Sequence, residues 1–349
     1  MAHREEKLRP LLKHNGPARR LRLAYVKAAR DLARRGAKKT KLNLALQGGG
    51  ALGAFTWGVL DRLSYERLID VRAFSGASAG ALNAAVFLSG LKNGGRGGAR
   101  NALRRFWTEV ANAASFANFL FPPMLLPGQL ALIEDAFNAS SRYGLSPMKI
   151  NPLKDILARH VDLDALRAED APRLYIAATN VLTGRARIFT NDDLSVDALL
   201  ASACIPNLHP TVMIDAAPYW DGGFSANPPI MPLMENDAER ILLVRLMRSG
   251  TGKAPRTTNE IDDYIKNHLF TRPLDDELER VALLPRASRT PIDEIDASDA
   301  DSSVSFTSQP TPRLVNDLFE KGAAAAEQYF AGLIQAHQEE HERQVGAAE

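Results

Sequence analysis

Three short runs contain residue types that could do chemistry together. The first is Gly76-Ala77-Ser78-Ala79-Gly80, a G-x-S-x-G pattern. A serine on a sharp strand-to-helix turn is lifted clear of its neighbours, and flanking glycines tolerate the close backbone approach such a turn demands. The helix that follows aims its first N–H groups at negative charge forming near the hydroxyl. The second run is Gly48-Gly49-Gly50-Ala51-Leu52-Gly53. Successive glycines after a strand let backbone N–H groups face a phosphate or an oxyanion. It is not a Walker A loop, since the Lys-Ser/Thr ending is absent, but Gly48, Gly50 and Gly53 also satisfy G-x-G-x-x-G, with Asp70 downstream as a ribose-binding acid. The third run is Asp221-Gly222-Gly223, read either as an ordinary Asp-Gly turn or as an aspartate presented toward Ser78.

A nucleophilic serine needs a base, and histidine is the usual one. Of the seven histidines, His3, His14, His337 and His341 lie near the ends, His160 in a charged helical stretch and His209 in a Pro-bounded loop. His268 alone follows Asp221 in the order serine, acid, histidine, but its surroundings read as the exposed face of a polar helix.

The elements around these runs are those of a layered α/β fold. Lys41–Gln47 and Val71–Phe74 read as strands, each ending in one of the glycine turns and each followed by a helix, over Ala51–Tyr65 and Ala81–Leu88. Lys92–Gly98 reads as a flexible glycine loop before a helix over Ala99–Ala114. Arg173–Val181, Ala186–Thr190 and Arg240–Leu246 read as further strands, the first two joined by a Leu-Thr-Gly turn. The expected organisation is a basic, helical extension over residues 1–40, a catalytic domain over 41–290, an acidic mobile loop over 291–310, and a helix with a polar tail over 311–349. Phe116–Leu132 is unusually apolar, and its prolines forbid one continuous helix; it reads as core packing or as an apolar lip beside a cleft.

Composition narrows the function classes. The 349 residues hold 43 Lys+Arg against 41 Asp+Glu, so bulk charge offers nothing to a nucleic acid. The single cysteine, Cys204, excludes an internal disulfide framework and a thiolate-rich metal site. There is no apolar run of the roughly 18 residues a spanning helix needs. The expectation is a cytoplasmic protein with at most peripheral membrane contact. Residues 1–41 concentrate 14 Lys/Arg against Glu5, Glu6 and Asp31, on a helix with a modest apolar stripe.

Taken in order, Gly48-Gly49-Gly50…Gly53, Gly76-Ala77-Ser78-Ala79-Gly80 and Asp221-Gly222-Gly223 resemble the motifs of the patatin-like phospholipase family. Ser202-Ala203-Cys204-Ile205-Pro206 resembles that family's intervening segment, and the likeness spans about residues 42 to 246. The resemblance implies a three-layer α/β/α sandwich with a mostly parallel sheet. It also implies hydrolysis of lipid acyl esters by a Ser–Asp dyad, with neither cofactor nor metal. Ser78 is then the nucleophile and Asp221 the base, with the N–H groups of Gly48, Gly49 and Gly50 as the oxyanion hole. Leu52 stands where the family often has Arg or Lys, which removes a cation and favours a neutral ester. Esterase or acyltransferase action on non-phospholipid esters, including polyester oligomers, shares the same serine chemistry. A catalytically silent interaction protein and a nucleotide-binding oxidoreductase are the readings from other classes.

Overall fold

The computed structural model describes residues 38–120, 152–206, 209–235, 237–249, 254–297 and 308–346. The basic extension and most of the apolar Phe116–Leu132 run lie outside them. The sheet is built on strands that are apolar on both faces, as a buried parallel sheet requires. Strand β1 (Thr40–Leu46) lies between β2 (Ile69–Gly76) and β7 (Arg240–Arg245), parallel to both. Strand β3 (Arg173–Asn180) continues parallel beyond β2. It then pairs antiparallel with β4 (Ala186–Phe189) and with β6 (Ala217–Asp221), which in turn pairs with β5 (Val212–Ile214). On the other side β7 pairs parallel with β8 (Ile292–Asp296). The eight-stranded order is β5-β6-β3-β2-β1-β7-β8, with β4 on β3 off that path.

Alternation along the central strands splits the core between two faces. Leu42, Leu44, Leu46, Leu242 and Val244 pack on one face with helices α1 (Gly53–Leu63), α2 (Ala79–Leu120) and α8 (Pro312–Gly346). On that side also lie α3 (Pro152–His160), α4 (Leu163–Arg167) and α5 (Val196–Ser202). Ala45, Ala73, Ile241 and Leu243 pack on the opposite face with α6 (Met231–Met234) and α7 (Thr258–Leu283). The result is the expected α/β/α sandwich with a mostly parallel sheet.

Three local expectations change. The Lys92–Gly98 loop is a kink inside α2: only Gly94 and Gly95 leave helical geometry. A Cβ on Gly98 would sit 2.3 Å from the Gly90 carbonyl oxygen, so the glycines let two helical halves cross at backbone contact. Arg96 anchors the kink by donating to the carbonyls of Glu66 and Ile69. The start of the acidic 291–310 segment is the edge strand β8. Asp293 receives both Arg240 Nε and a second guanidinium nitrogen at 2.6 Å, and Glu294 and Asp296 face Arg245 and Arg248. Finally, β5 and β6 form a hairpin that the sequence reading lacked. Its turn residues Asp215 and Ala216 both have positive φ, which Ala-containing sequences seldom advertise.

Candidate active site

The register of the central strands sets the site. Leu46 at the end of β1 is level with Gly76 of β2 and Val244 of β7, so the glycine loop and the serine turn leave the sheet side by side. The helices after β1 and β7 go to opposite faces, which opens a crevice at the carboxyl ends of the strands, where ligands of open α/β sheets bind. Strand β6 runs back against β3 and sets Asp221 opposite Ala178, just past Ile176, which is level with Gly76. All three motifs therefore meet at one end of the sheet.

Ser78 occupies the sharpest point of its turn, with φ at 51°, a region L side chains rarely adopt. Its N–H donates to both the carbonyl and the Oγ of Ser202, each at 3.0 Å. Gly80 is required by close approach: a Cβ there would lie 2.1 Å from the Leu46 carbonyl oxygen. Helix α2 begins at Ala79, so its positive end adjoins Ser78. Behind the turn, buried Asn83 donates to the carbonyls of Gly53 and Ala79 at 2.9 Å and accepts from Trp107 Nε1 at 2.9 Å.

Asp221 is fully buried, and its backbone is held at both ends. Its N–H donates to the Cys204 carbonyl at 2.8 Å, and its carbonyl accepts from Thr179 Oγ1 at 2.7 Å. Oδ1 accepts the Gly223 N–H at 2.7 Å. Oδ2 makes no hydrogen bond of standard geometry among the described residues. The Ser78 hydroxyl nonetheless lies close enough to favour the charged carboxylate, a loose contact of the kind catalytic pairs tighten when substrate binds. Burial dominates: it pushes the carboxyl up to about 7, while the Gly223 N–H and Ser78 hydroxyl pull it down. Cys204 is buried beside the same carboxylate, and burial together with that negative charge pushes its thiol up to about 12.

The glycine loop differs from expectation at one atom. The Gly48 N–H already donates to Asn227 Oδ1 at 2.7 Å, so it is not a free oxyanion donor. Gly49 and Gly50 have no protein acceptor for their N–H groups among the described residues. Leu52 is buried in the core, so this position points away from any head group. Asp70 stands at the start of β2, level with Lys41, at the opposite end of the sheet from the glycine loop. A ribose-binding acid belongs at the carboxyl end of that strand, so the dinucleotide reading fails. His268 stacks on Tyr264 on the exposed side of α7, and His160 bonds Glu109 at 2.7 Å; among the described residues neither hydrogen-bonds Ser78 or Asp221. Among the described residues no group of His, Cys, Asp and Glu is arranged to hold a metal ion. Ser202, the first residue of the family-like Ser202–Pro206 run, supports the Ser78 turn, and Gln47 and Asn227 support the glycine loop; no motif points to those two, since a lone amide carries no spacing signal.

Residues 44–234 match the family model of the patatin-like phospholipases, more than half of the chain. The chain belongs to the patatin-like phospholipase family. As a member it is a carboxylic ester hydrolase of the lipid-acting kind. Among solved structures, the patatin-like chain is similar to VipD from Legionella pneumophila, at 17% identity over 86% of this chain and 67% of that one, with a TM-score of 0.42. It is also similar to ExoU in its complex with SpcU, from the type III secretion system of Pseudomonas aeruginosa. That match has 16% identity over 84% of this chain and 52% of ExoU, with a TM-score of 0.35. The chain thus spans about half the length of ExoU. No curated protein matches. Among the described residues, no helix of this patatin-like chain is long and apolar enough to cross a membrane.

Proposed function

We propose that the chain hydrolyses lipid acyl esters through a Ser78–Asp221 dyad and an acyl-enzyme. The observation that carries this reading is the wholly buried Asp221 carboxylate, raised to about 7, with one oxygen unbonded on the side of the nearby Ser78 hydroxyl. An ordinary exposed aspartate is too weak a base to take a serine proton; one poised near neutral pH is matched to the task.

In the first half-reaction Asp221 takes the Ser78 Oγ proton as Oγ bonds to the ester carbonyl carbon. The carbonyl electron pair moves onto oxygen, where the Gly49 and Gly50 N–H groups receive it. Collapse of this tetrahedral species breaks the bond to the alcohol, which leaves with the proton from Asp221. In the second half-reaction water gives a proton to Asp221 and attacks the acyl-serine; Ser78 departs and recovers that proton. Each oxyanion donor contributes about 10²–10³ in rate in comparable sites.

Intact-mass labelling with a fluorophosphonate, run beside p-nitrophenyl esters of graded chain length, tests the reading. The wild type gains one adduct, and Ser78→Ala gains none and loses turnover. Preference for long chains supports a lipid substrate; a flat or short-chain profile moves the assignment to small esters. Labelling that survives in Ser78→Ala would defeat the dyad.

A further inference from the structure

The loop that carries Asp221 continues through the short turn Gly222–Phe224 to Asn227, a side chain fully buried against the glycine loop. Its amide makes three contacts. Oδ1 accepts the Gly48 N–H at 2.7 Å. Nδ2 donates to the Phe270 carbonyl of α7 at 2.8 Å and lies 3.4 Å from the Gly48 carbonyl oxygen. Gly48 itself is wedged: a Cβ there would be 2.7 Å from both the Ala77 carbonyl oxygen and Ser78 Cβ, and 3.0 Å from Asn227 Oδ1. A second buried amide grips the preceding residue, since Gln47 Oε1 accepts the N–H groups of Leu246 and Met247 at 2.6 and 2.9 Å.

We infer that Asn227 is a positioning residue of the oxyanion hole, holding both polar atoms of Gly48 so that Gly49 and Gly50 supply the donors. The inference rests on the dyad reading above and adds to it a division of labour within the glycine loop. It also explains how base and oxyanion hole keep a fixed separation: Asp221 and Asn227 belong to one short loop, and each is tied by hydrogen bonds to fully buried partners. Only an amide fits. An acceptor must face the Gly48 N–H while a donor faces two carbonyls, and an aspartate would set a buried negative charge against both carbonyl oxygens.

The test compares p-nitrophenyl esters with their thionoester analogues. Sulfur is large and a poor hydrogen-bond acceptor, so a well-placed pair of N–H donors favours the oxygen ester strongly. In Asn227→Ser and Asn227→Asp, kcat on the oxygen ester should fall about 10²-fold, the usual loss for a displaced donor, with KM little changed. The oxygen-over-sulfur rate ratio should collapse toward one. Equal losses on both esters, or unchanged rates, would overturn the assignment. Should either variant fail to fold, the wild type carries a second test. In protein labelled with 15N-glycine, phosphonylation of Ser78 should shift the Gly49 and Gly50 amides well beyond the Gly48 amide; a dominant Gly48 shift refutes the proposal. Wild-type turnover that disappears in Ser78→Ala secures the serine reading first, so a null result in the Asn227 variants counts against the positioning role alone.

Discussion

Under the proposed dyad, Asp221 links burial to both rate and stability. Its carboxyl is pushed up to about 7 by burial, so the base form is lost as pH falls through that value. The kcat/KM of the wild type should therefore drop about tenfold per pH unit below 7 and level off above it. The same shift opposes folding. An unfolded aspartate ionises near pH 4, whereas the folded one keeps its proton to about 7, so the native state binds the extra proton in between. Stability from this group is highest below pH 4 and declines as pH rises toward 7, by on the order of 4 kcal/mol in all. Asp221→Asn should thus have a higher urea midpoint than the wild type at pH 8 and a similar one at pH 4. The same difference at both values would contradict a buried, raised carboxyl. Cys204 makes the opposite point about reactivity: with its thiol near 12 and buried, it should resist iodoacetamide in the native protein at pH 8 and react fully in urea.

At the scale of elements, the glycines of α2 divide by what surrounds them. Gly98 meets the Gly90 backbone across the helix crossing, and an added methyl would force the halves apart. Gly94, with φ at −154°, has nothing within 4 Å of where a Cβ would go. Gly98→Ala should lower stability by about 1–3 kcal/mol, as overpacking does. Gly94→Ala should be neutral or slightly stabilising, because it restricts the unfolded chain. Urea midpoints decide between this and the surface-loop reading, under which both substitutions behave alike. The edge strand β8 teaches a related lesson. Its acids repel one another in the unfolded chain and so read as a loop, but beside β7 they meet Arg240, Arg245 and Arg248. Tyr329 of α8 adds a hydrogen bond to Asp293 at 2.7 Å, tying that edge to the helical layer.

For the whole molecule, α8 completes one layer of the sandwich. Gly58 and Gly322 allow α1 and α8 to touch at their backbones, where a Cβ would come within 2.1 Å of the Phe319 and 2.0 Å of the Phe55 carbonyl oxygens. Trp57 stacks at a tilt on Phe319, with ring centroids 4.2 Å apart. Arg62, wholly buried in α1, is neutralised by Glu66 of its own chain turn and by Glu327 of α8. Removing Glu327 leaves Arg62 with Glu66 alone and breaks the tie between α1 and α8, so Glu327→Ala should cost about 1–3 kcal/mol. Activity per folded molecule should survive, since Arg62 lies in the last turn of α1, at the end away from the glycine loop. A loss no larger than that of an exposed pair would show that Arg62 is reached by water.

The sequence by itself determined the motifs and their order along the chain: a strand, a glycine loop, a strand, a G-x-S-x-G turn, and a distant aspartate on a glycine turn. Those are local facts, carried by small residues at fixed spacing, and they sufficed for the family and for the layered fold. Tertiary structure decided what each group is free to do. The raised carboxyl of Asp221 comes from burial by distant segments, and no spacing encodes it. The Gly48 N–H is consumed by an amide 179 residues away, while the neighbouring Gly49 and Gly50, identical in type, keep theirs. Backbone donors carry no side-chain signature, so whether one is spent or available depends only on what the folded chain brings beside it.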